Sequence, residues 1–315
     1  MFLSILVSAP AAPRYFAPSV LRPGALNEVY VWDEDPVAPF SIEIRRAGVE
    51  KTLLIVRGFS VDRHLSVAGQ DNRPFHWSAA LVSPDALAKP GPVSLRFIAA
   101  DKRILAELNS EILPREFRTE VIPLDRVMTQ LRAKPDRRKD REAVAIWAVY
   151  EKFEAQFTWF GGRFSLPVSP QFGTSAYFGD TRKYLYSDGT ADTDYHRGTD
   201  FAVPIGTPVL APADGIVALV ADRMLTGQTV VLEHAPGLYS IYFHLSKALV
   251  KEGQRVISGD LIALSGASGL VTGPHLHWEI RSQGVPVDPL EVVTGELLDT
   301  TRVSAVVSSS ERTSH

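Results

Sequence analysis

The chain has 315 residues, 33 Lys and Arg against 36 Asp and Glu, and a formal net charge of −3. That length suits two domains better than one, and with 45% hydrophobic and 22% charged residues it can bury a sizeable core, which excludes a fibrous or wholly disordered chain. The slight acidic balance argues against a nucleic-acid binder, which carries a basic excess, and the absence of cysteine excludes a disulfide scaffold and any thiolate metal site.

Taken in chain order, residues 1–24 open with Met1-Phe2-Leu3-Ser4-Ile5-Leu6-Val7-Ser8-Ala9. This is an apolar stretch running into small residues, like the apolar part of an export signal. It lacks a basic leader and its apolar run is short, so it reads as a truncated or atypical signal, with an ordinary apolar strand as the equal alternative. No run of 18 apolar residues occurs elsewhere, so no integral membrane span is expected.

Residues 25–121 alternate short β-rich runs with turn signals. Glu28–Trp32, Ser41–Ile44, Thr52–Val56 and Val93–Ile98 are separated by Asp35-Pro36, Ala47-Gly48 and Lys89-Pro90-Gly91-Pro92. Short strands at this spacing predict an antiparallel β-sandwich. His64 and His76 stand alone there and read as structural or surface residues.

Over residues 122–160 the period changes. Ala143, Ile146, Trp147, Tyr150, Phe153 and Phe157 recur at spacings of three and four, which predicts a helix with one apolar stripe and hence a helical connector. The run Arg137-Arg138-Lys139-Asp140-Arg141 reads as its solvated face. Residues 161–292 return to β signals dense in Gly and Pro, and predict an all-β domain. The Ser-rich stretch within residues 293–315 reads as a flexible tail.

The chemistry concentrates in the second β region. Tyr195-His196-Arg197-Gly198-Thr199-Asp200 places an imidazole and a carboxylate four residues apart. Gly198 and the β-branched Thr199 disfavour the helical His-Glu-x-x-His arrangement, yet in an extended or looped segment both side chains can converge on one cation. In Gly273-Pro274-His275-Leu276-His277-Trp278-Glu279-Ile280, strand alternation sends His275, His277 and Glu279 to one face, the two imidazoles about 7 Å apart. One of them can ligate a metal while the other meets substrate. The same alternation in Ile241-Tyr242-Phe243-His244-Leu245-Ser246 puts Tyr242 and His244 on a common face. Neutral imidazoles and a carboxylate with an open position suit catalytic zinc, and histidines left over beside such a site can serve proton transfer or oxyanion stabilisation.

His196-x-x-x-Asp200, Tyr242-x-His244-Leu245-Ser246 and Gly273-Pro274-His275-Leu276-His277 together resemble the M23 family, the lysostaphin/LytM-type peptidoglycan endopeptidases. The resemblance extends over about Phe164 to Leu290 and includes Phe178-Gly179-Asp180-x-Arg182 and Gly206-Thr207-Pro208-Val209. It implies a mainly β catalytic domain and one Zn2+ per chain, held by His196, Asp200 and His277. It further implies catalytic roles for His244 and His275 and hydrolysis of peptide bonds in peptidoglycan cross-bridges or stem peptides, outside the cytoplasm, in the periplasm, cell envelope or medium. Glu279, Tyr242 and Arg182 are candidates for supporting the ligands or meeting substrate. His234 sits at a turn and reads as structural.

Two competing readings are weaker. Ala211-Pro212-Ala213-Asp214-Gly215 and Val250-Lys251-Glu252-Gly253 resemble halves of a biotinyl/lipoyl barrel-sandwich. A carrier of that kind needs a Met-flanked Lys at a hairpin tip, and none is present, so the likeness stays at the level of fold. The other is a wall-binding or activator protein whose zinc site is unused. In either case the N-terminal sandwich is expected to bind the wall or to cover the active site.

Overall fold

The computed structural model describes residues 3–6, 13–33, 35–46, 48–49, 51–61, 76–154, 163–299, 301 and 303–305. These divide into two compact units, one drawn from residues 1–115, 154–159 and 296–315, the other from residues 116–153 and 160–295.

The first unit is a sandwich of two five-stranded sheets. One runs in the order Leu3–Leu6, Arg14–Pro18, Asn27–Asp33, His76–Val82, Phe59–Ser60, and the other Val20–Leu21, Ile104–Ile112, Gly91–Ala99, Phe40–Arg46, Thr52–Arg57. Period-two patterning explains it. Along Ile104–Ile112 every second residue from Ala106 to Ile112 is buried and those between are exposed. Val29, Val31, Ala80 and Val82 from one sheet join Ile42, Ile44, Leu95 and Phe97 from the other in a single apolar cluster. All pairings are antiparallel except Val20–Leu21, which lies parallel to Ile104–Ile112. All four predicted runs lie within strands. His76 is exposed at the start of its strand, while His64 lies outside the described residues.

Leu3–Leu6 pairs as a strand with Arg14–Pro18, in line with the second of the two readings given for the N-terminus. The tail expected over residues 293–315 contributes Leu298 and Val303, both fully buried, and the Leu298 amide donates to Glu28. The apolar residues interleaved with the serines and threonines override the polar composition there. Residues 306–315 lie outside the description.

In the second unit a sheet runs Thr174–Ala176, Thr199–Phe201, Leu276–Ser282, Leu238–Leu245, Gly227–Ala235, Gly215–Arg223, Arg255–Val256, with Val285–Val287 added to Leu276–Ser282. The unit also contains two three-stranded sheets. One is Pro208–Leu210, Leu261–Leu264, Lys247–Ala248, and the other Thr119–Pro123, Thr181–Leu185, Ala191–Tyr195. In the latter, Thr119–Pro123 runs parallel to Thr181–Leu185.

Helices α1 (Arg126–Ala133) and α2 (Arg137–Glu151) start at aspartate caps, Asp125 accepting from the Met128 amide and Asp136 from the Arg138 amide. The apolar stripe of α2 does not project into a linker. Ile146 and Tyr150 are buried against Val231, Tyr239, Ile241 and Phe243 of the large sheet, each burial contributing about 2 kcal/mol. Both ends of α2 are tied to the same unit, through Glu142 to the Met224 amide at 2.8 Å and through the Tyr239 hydroxyl to the Lys152 carbonyl at 2.9 Å. The stripe ends at Tyr150, because the helix stops at Glu151, before Phe153; Phe157 lies outside the described residues. No helix among the described residues is long and apolar enough to cross a membrane.

Candidate metal centre

Strand register assembles the centre. In Leu276–Ser282, His277 lies opposite Asp200 of one neighbouring strand and Phe243 of the other. Residues directly opposite share a face, so imidazole, carboxylate and phenyl ring form one row across three strands. His196 enters from the turn before Thr199–Phe201. Gly198 makes that turn possible, since a Cβ there would lie 2.3 Å from the Trp278 carbonyl oxygen. With no side chain at 198 the segment presses onto the strand, and both residues four apart reach His277.

The three functional groups meet closely. His196 Nε2 lies 3.1 Å from Asp200 Oδ1 and 2.9 Å from His277 Nδ1, and His277 Nδ1 lies 2.7 Å from the same carboxylate oxygen. All three residues are buried. The other nitrogen of each imidazole faces an acceptor, His196 Nδ1 the Tyr177 carbonyl at 2.9 Å and His277 Nε2 the Glu279 carboxylate at 3.1 Å. In neutral rings those outward nitrogens carry the protons, so two nitrogen lone pairs and a carboxylate oxygen turn toward one point. Such a donor set fits a cation.

Charge around the centre agrees. Burial opposes ionisation of Asp200, but the two imidazoles hold its carboxyl well below the usual carboxylate range. Arg182 donates to Asp200 Oδ2 at 2.6 Å, leaving Oδ1 to the imidazoles. For His277 burial acts downward, yet Asp200 and Glu279 together carry its pKa up to about 9. Glu279, also resisted by burial, is brought down to about 2 by Arg281 and His277. The buried carboxylates thus draw positive charge to this point, a demand that a bound cation meets.

His244 and His275 stand beside the triad, with their rings 4.8 Å apart. His244 Nδ1 lies 2.8 Å from the Ser268 carbonyl and His275 Nδ1 2.8 Å from the Gly273 carbonyl. Burial, with His275 and His277 nearby, lowers His244 to about 3. His275 Nε2 is 4.0 Å from Asp200 Oδ1. The five residues singled out from the sequence therefore lie in one place.

The three supporting candidates separate. Glu279 sits behind His277, and Arg182 holds Asp200, which also engages the guanidinium that was a candidate for a substrate carboxylate. Tyr242 does not share a face with His244. It pairs with Trp278 on the opposite side, fully buried, its hydroxyl 2.7 Å from Ser240 Oγ. The reason is a β-bulge, where the register advances two residues from Gln228 to Val230 but three from Leu245 to Tyr242. His244 takes a left-handed φ of 60° there, which breaks the alternation and turns its ring into the centre. His234, beside Ser240 and the Asp214 carbonyl at 2.7 Å each, is buried away from it.

Sequence reasoning missed Phe243, stacked on His277 at 5.2 Å and 8°, and Arg281, whose Nε donates to Glu279 Oε2 at 2.7 Å. Arg281 was within reach of the period-two argument, two residues beyond Glu279. Phe243 required the strand register.

The family model of peptidase family M23 matches residues 194–289, which span His196, Asp200, His244, His275 and His277. The chain carries an M23 peptidase domain. Over 125 residues it is 42% identical to the peptidoglycan DD-endopeptidase ShyA of Vibrio cholerae, a match covering 40% of this chain and 28% of that protein. Over 97 residues it is 43% identical to the DD-carboxypeptidase/endopeptidase Mpg of Neisseria meningitidis, covering 31% of this chain and 22% of that one. These M23-domain matches thus span under a third of the length of either relative. A crystal structure of an M23 peptidase candidate from Pseudomonas aeruginosa is similar over 88% of this chain and 95% of its own, with 27% identity and a TM-score of 0.55.

Proposed function

We propose that this chain is a zinc-dependent endopeptidase that hydrolyses peptide bonds in peptidoglycan outside the cytoplasm. His196, Asp200 and His277 hold the metal, and His244 and His275 are catalytic residues. The observation that carries this reading is the meeting of two imidazole nitrogens and one carboxylate oxygen within 3.1 Å, the outward nitrogen of each ring being already engaged. The substrate class rests on the similarity to ShyA and Mpg, which are named for cleaving or trimming wall peptides.

Zinc held by this donor set supplies Lewis acidity and brings a water's pKa to about 7. His244 and His275 do the rest. Each gives its Nδ1 proton to a backbone carbonyl, so each presents Nε2 as a lone pair without needing to reorient. An Nε2 of this kind accepts a proton from the attacking water and returns it to the leaving amine. Once protonated, it donates a hydrogen bond to a developing oxyanion. Phe243, flat against His277, excludes water from one side of the cluster.

For the sandwich unit we propose restraint of the catalytic groove, since an unguarded wall endopeptidase endangers its own envelope. By chemistry alone, Asn27 and the exposed His76 could fill an open metal position; Asp71 and Asn72 lie outside the described residues. A chain beginning at Glu116 should then cleave a soluble peptide faster than the full chain. Equal rates with weaker retention on sacculi would make the sandwich a targeting module instead.

The central test incubates the full chain with intact sacculi and reads product masses, alongside zinc content. New peptide termini and stoichiometric zinc are expected, both lost in Asp200→Ala. Full zinc occupancy in Asp200→Ala, or untouched sacculi with a zinc-loaded chain, would overturn the assignment.

A further inference from the structure

Glu279 divides its two oxygens. Oε1 meets His277 Nε2 at 3.1 Å, and Oε2 takes Arg281 at 2.7 Å from both Nε and a terminal nitrogen. The remaining terminal nitrogen of Arg281 donates to the Gly284 carbonyl at 3.0 Å. All three nitrogens of the guanidinium are therefore engaged along its edge, and its flat face is covered from outside the strand. Tyr150 of α2 lies 4.8 Å from it, ring centroid to guanidinium carbon, and Trp147 lies 5.8 Å away.

The two rings form a fixed shelf. They are three residues apart on one helical face and meet edge-on at 5.7 Å and 82°. Trp147 also rests on the hairpin turn after Arg281. Gly284 has φ +85°, and a Cβ there would come 2.9 Å from the Trp147 ring. Helix, turn and guanidinium thus fix one another, and among the described residues the carboxylate oxygen Arg281 engages belongs to the residue that holds His277.

We infer that α2, acting through Arg281, is a positioning element for the metal ligand His277. The chain of contacts runs from the Tyr150 and Trp147 rings to Arg281, to Glu279 and to the imidazole. Without Arg281, the Oε2 of a carboxylate that is 4% exposed loses its cationic partner, and an unpaired buried oxygen is costly. Glu279 then turns toward another donor or takes a proton, and its grip on His277 Nε2 loosens. Helix α2 lies outside residues 194–289, so the strength of the metal site depends on a segment beyond the peptidase match. This inference rests on the metal-site reading above.

The test is zinc affinity of the full-length chain, measured by competition with a chromophoric chelator. Arg281→Met is expected to weaken binding about 10–100-fold, the usual range for removing a ligand's hydrogen-bonding support. Glu279→Gln should weaken it similarly, and the double variant should be no weaker than the poorer single one, because both act through one contact. Arg281→Lys keeps the charge without the planar fork and should recover part of the loss. Trp147→Leu, at a ring that is 48% exposed, leaves the ion pair in place and should weaken binding about 2–5-fold. Wild-type affinity in Arg281→Met, or fully additive losses in the double variant, would overturn the inference. If Arg281→Met fails to fold, unchanged affinity in Trp147→Leu overturns it equally. Failure of the unaltered chain to bind zinc would instead strike the metal-site reading itself.

Discussion

Arg182 and Asp200 are joined by a 2.6 Å contact to Oδ2, on the side of the carboxylate away from the two imidazoles. The guanidinium also lies 3.5 Å from Glu120, in the parallel strand Thr119–Pro123. Burial works against its charge, and the Asp200 carboxylate more than offsets this, holding the Arg182 pKa above its ordinary value. With Asp200 as the proposed metal ligand, an arginine so engaged orients it. Arg182→Leu should therefore lower zinc affinity about 10–100-fold, read by chelator competition. A rise in KM alone, with metal affinity unchanged, would mean that Arg182 meets substrate instead.

His244 and His275 should separate from the ligands in a direct comparison. Their Nδ1 atoms are bound to carbonyls and their rings stand beside the three-residue cluster. His244→Ala and His275→Ala should keep stoichiometric zinc while turnover of a wall peptide falls about 100–10,000-fold. Metal analysis after gel filtration, paired with rate measurements, checks both. Stoichiometric metal loss in His275→Ala would shift the ligand role from His277 to its neighbour.

His234 gives a pH dependence that does not involve the metal. Burial pushes it down to about 4, against smaller upward pulls from Asp214. The unfolded chain takes up this proton near pH 6.5 and the folded chain only near 4, so the unfolded state binds more protons between those values. The stability contribution is complete above about 6.5 and drains away as pH falls toward 4, on the order of 3 kcal/mol in all. Urea unfolding of the metal-free chain at several pH values should show a slope of this sign, and His234→Gln should make it shallower. Identical slopes would remove the assignment.

The truncation point matters more than a linker would suggest. A chain beginning at Glu116 keeps α1, α2 and the strand Thr119–Pro123, and should bind zinc as tightly as the full chain. One beginning at Gly161 uncovers Val231, Tyr239, Ile241 and Phe243, which α2 otherwise buries. It should melt at a lower temperature and bind zinc at least about tenfold more weakly, since it lacks the supports of Arg182 and Arg281 together. Equal affinity in both truncations would show that the flanking segment is dispensable.

How far the sequence could be read depended on whether a rule was local. His277 and Glu279 share a face because alternation is a property of any strand, and the four sandwich runs were visible for the same reason. Tyr242 was misassigned because alternation was carried through His244, where an extra residue and a left-handed backbone interrupt it. No local signal in Tyr242-Phe243-His244-Leu245 marks that bulge, since it is set by the partner strand. The apolar stripe of α2 was equally plain, but a stripe does not name what it covers. That Trp147 would remain half exposed and lie over Arg281 depends on where the helix lands. The parallel pairing of Thr119–Pro123 with Thr181–Leu185 joins segments about sixty residues apart, and nothing within either segment announces the other. The buried Leu298 and Val303 were hidden by the polar residues around them.

Gly198 carries no side-chain atom that could bind a metal or move a proton, yet it stands between His196 and Asp200 with the Trp278 backbone 2.3 Å from where a Cβ would be. In a saturation scan of the chain, position 198 should therefore score like a ligand. Alanine, the smallest possible replacement, would lever the strand Thr199–Phe201 off Leu276–Ser282 and draw Asp200 away from His277. Hence a map of mutational tolerance would outline the centre by backbone clearance as well as by chemistry, and its most intolerant residues would include one with nothing to contribute but room.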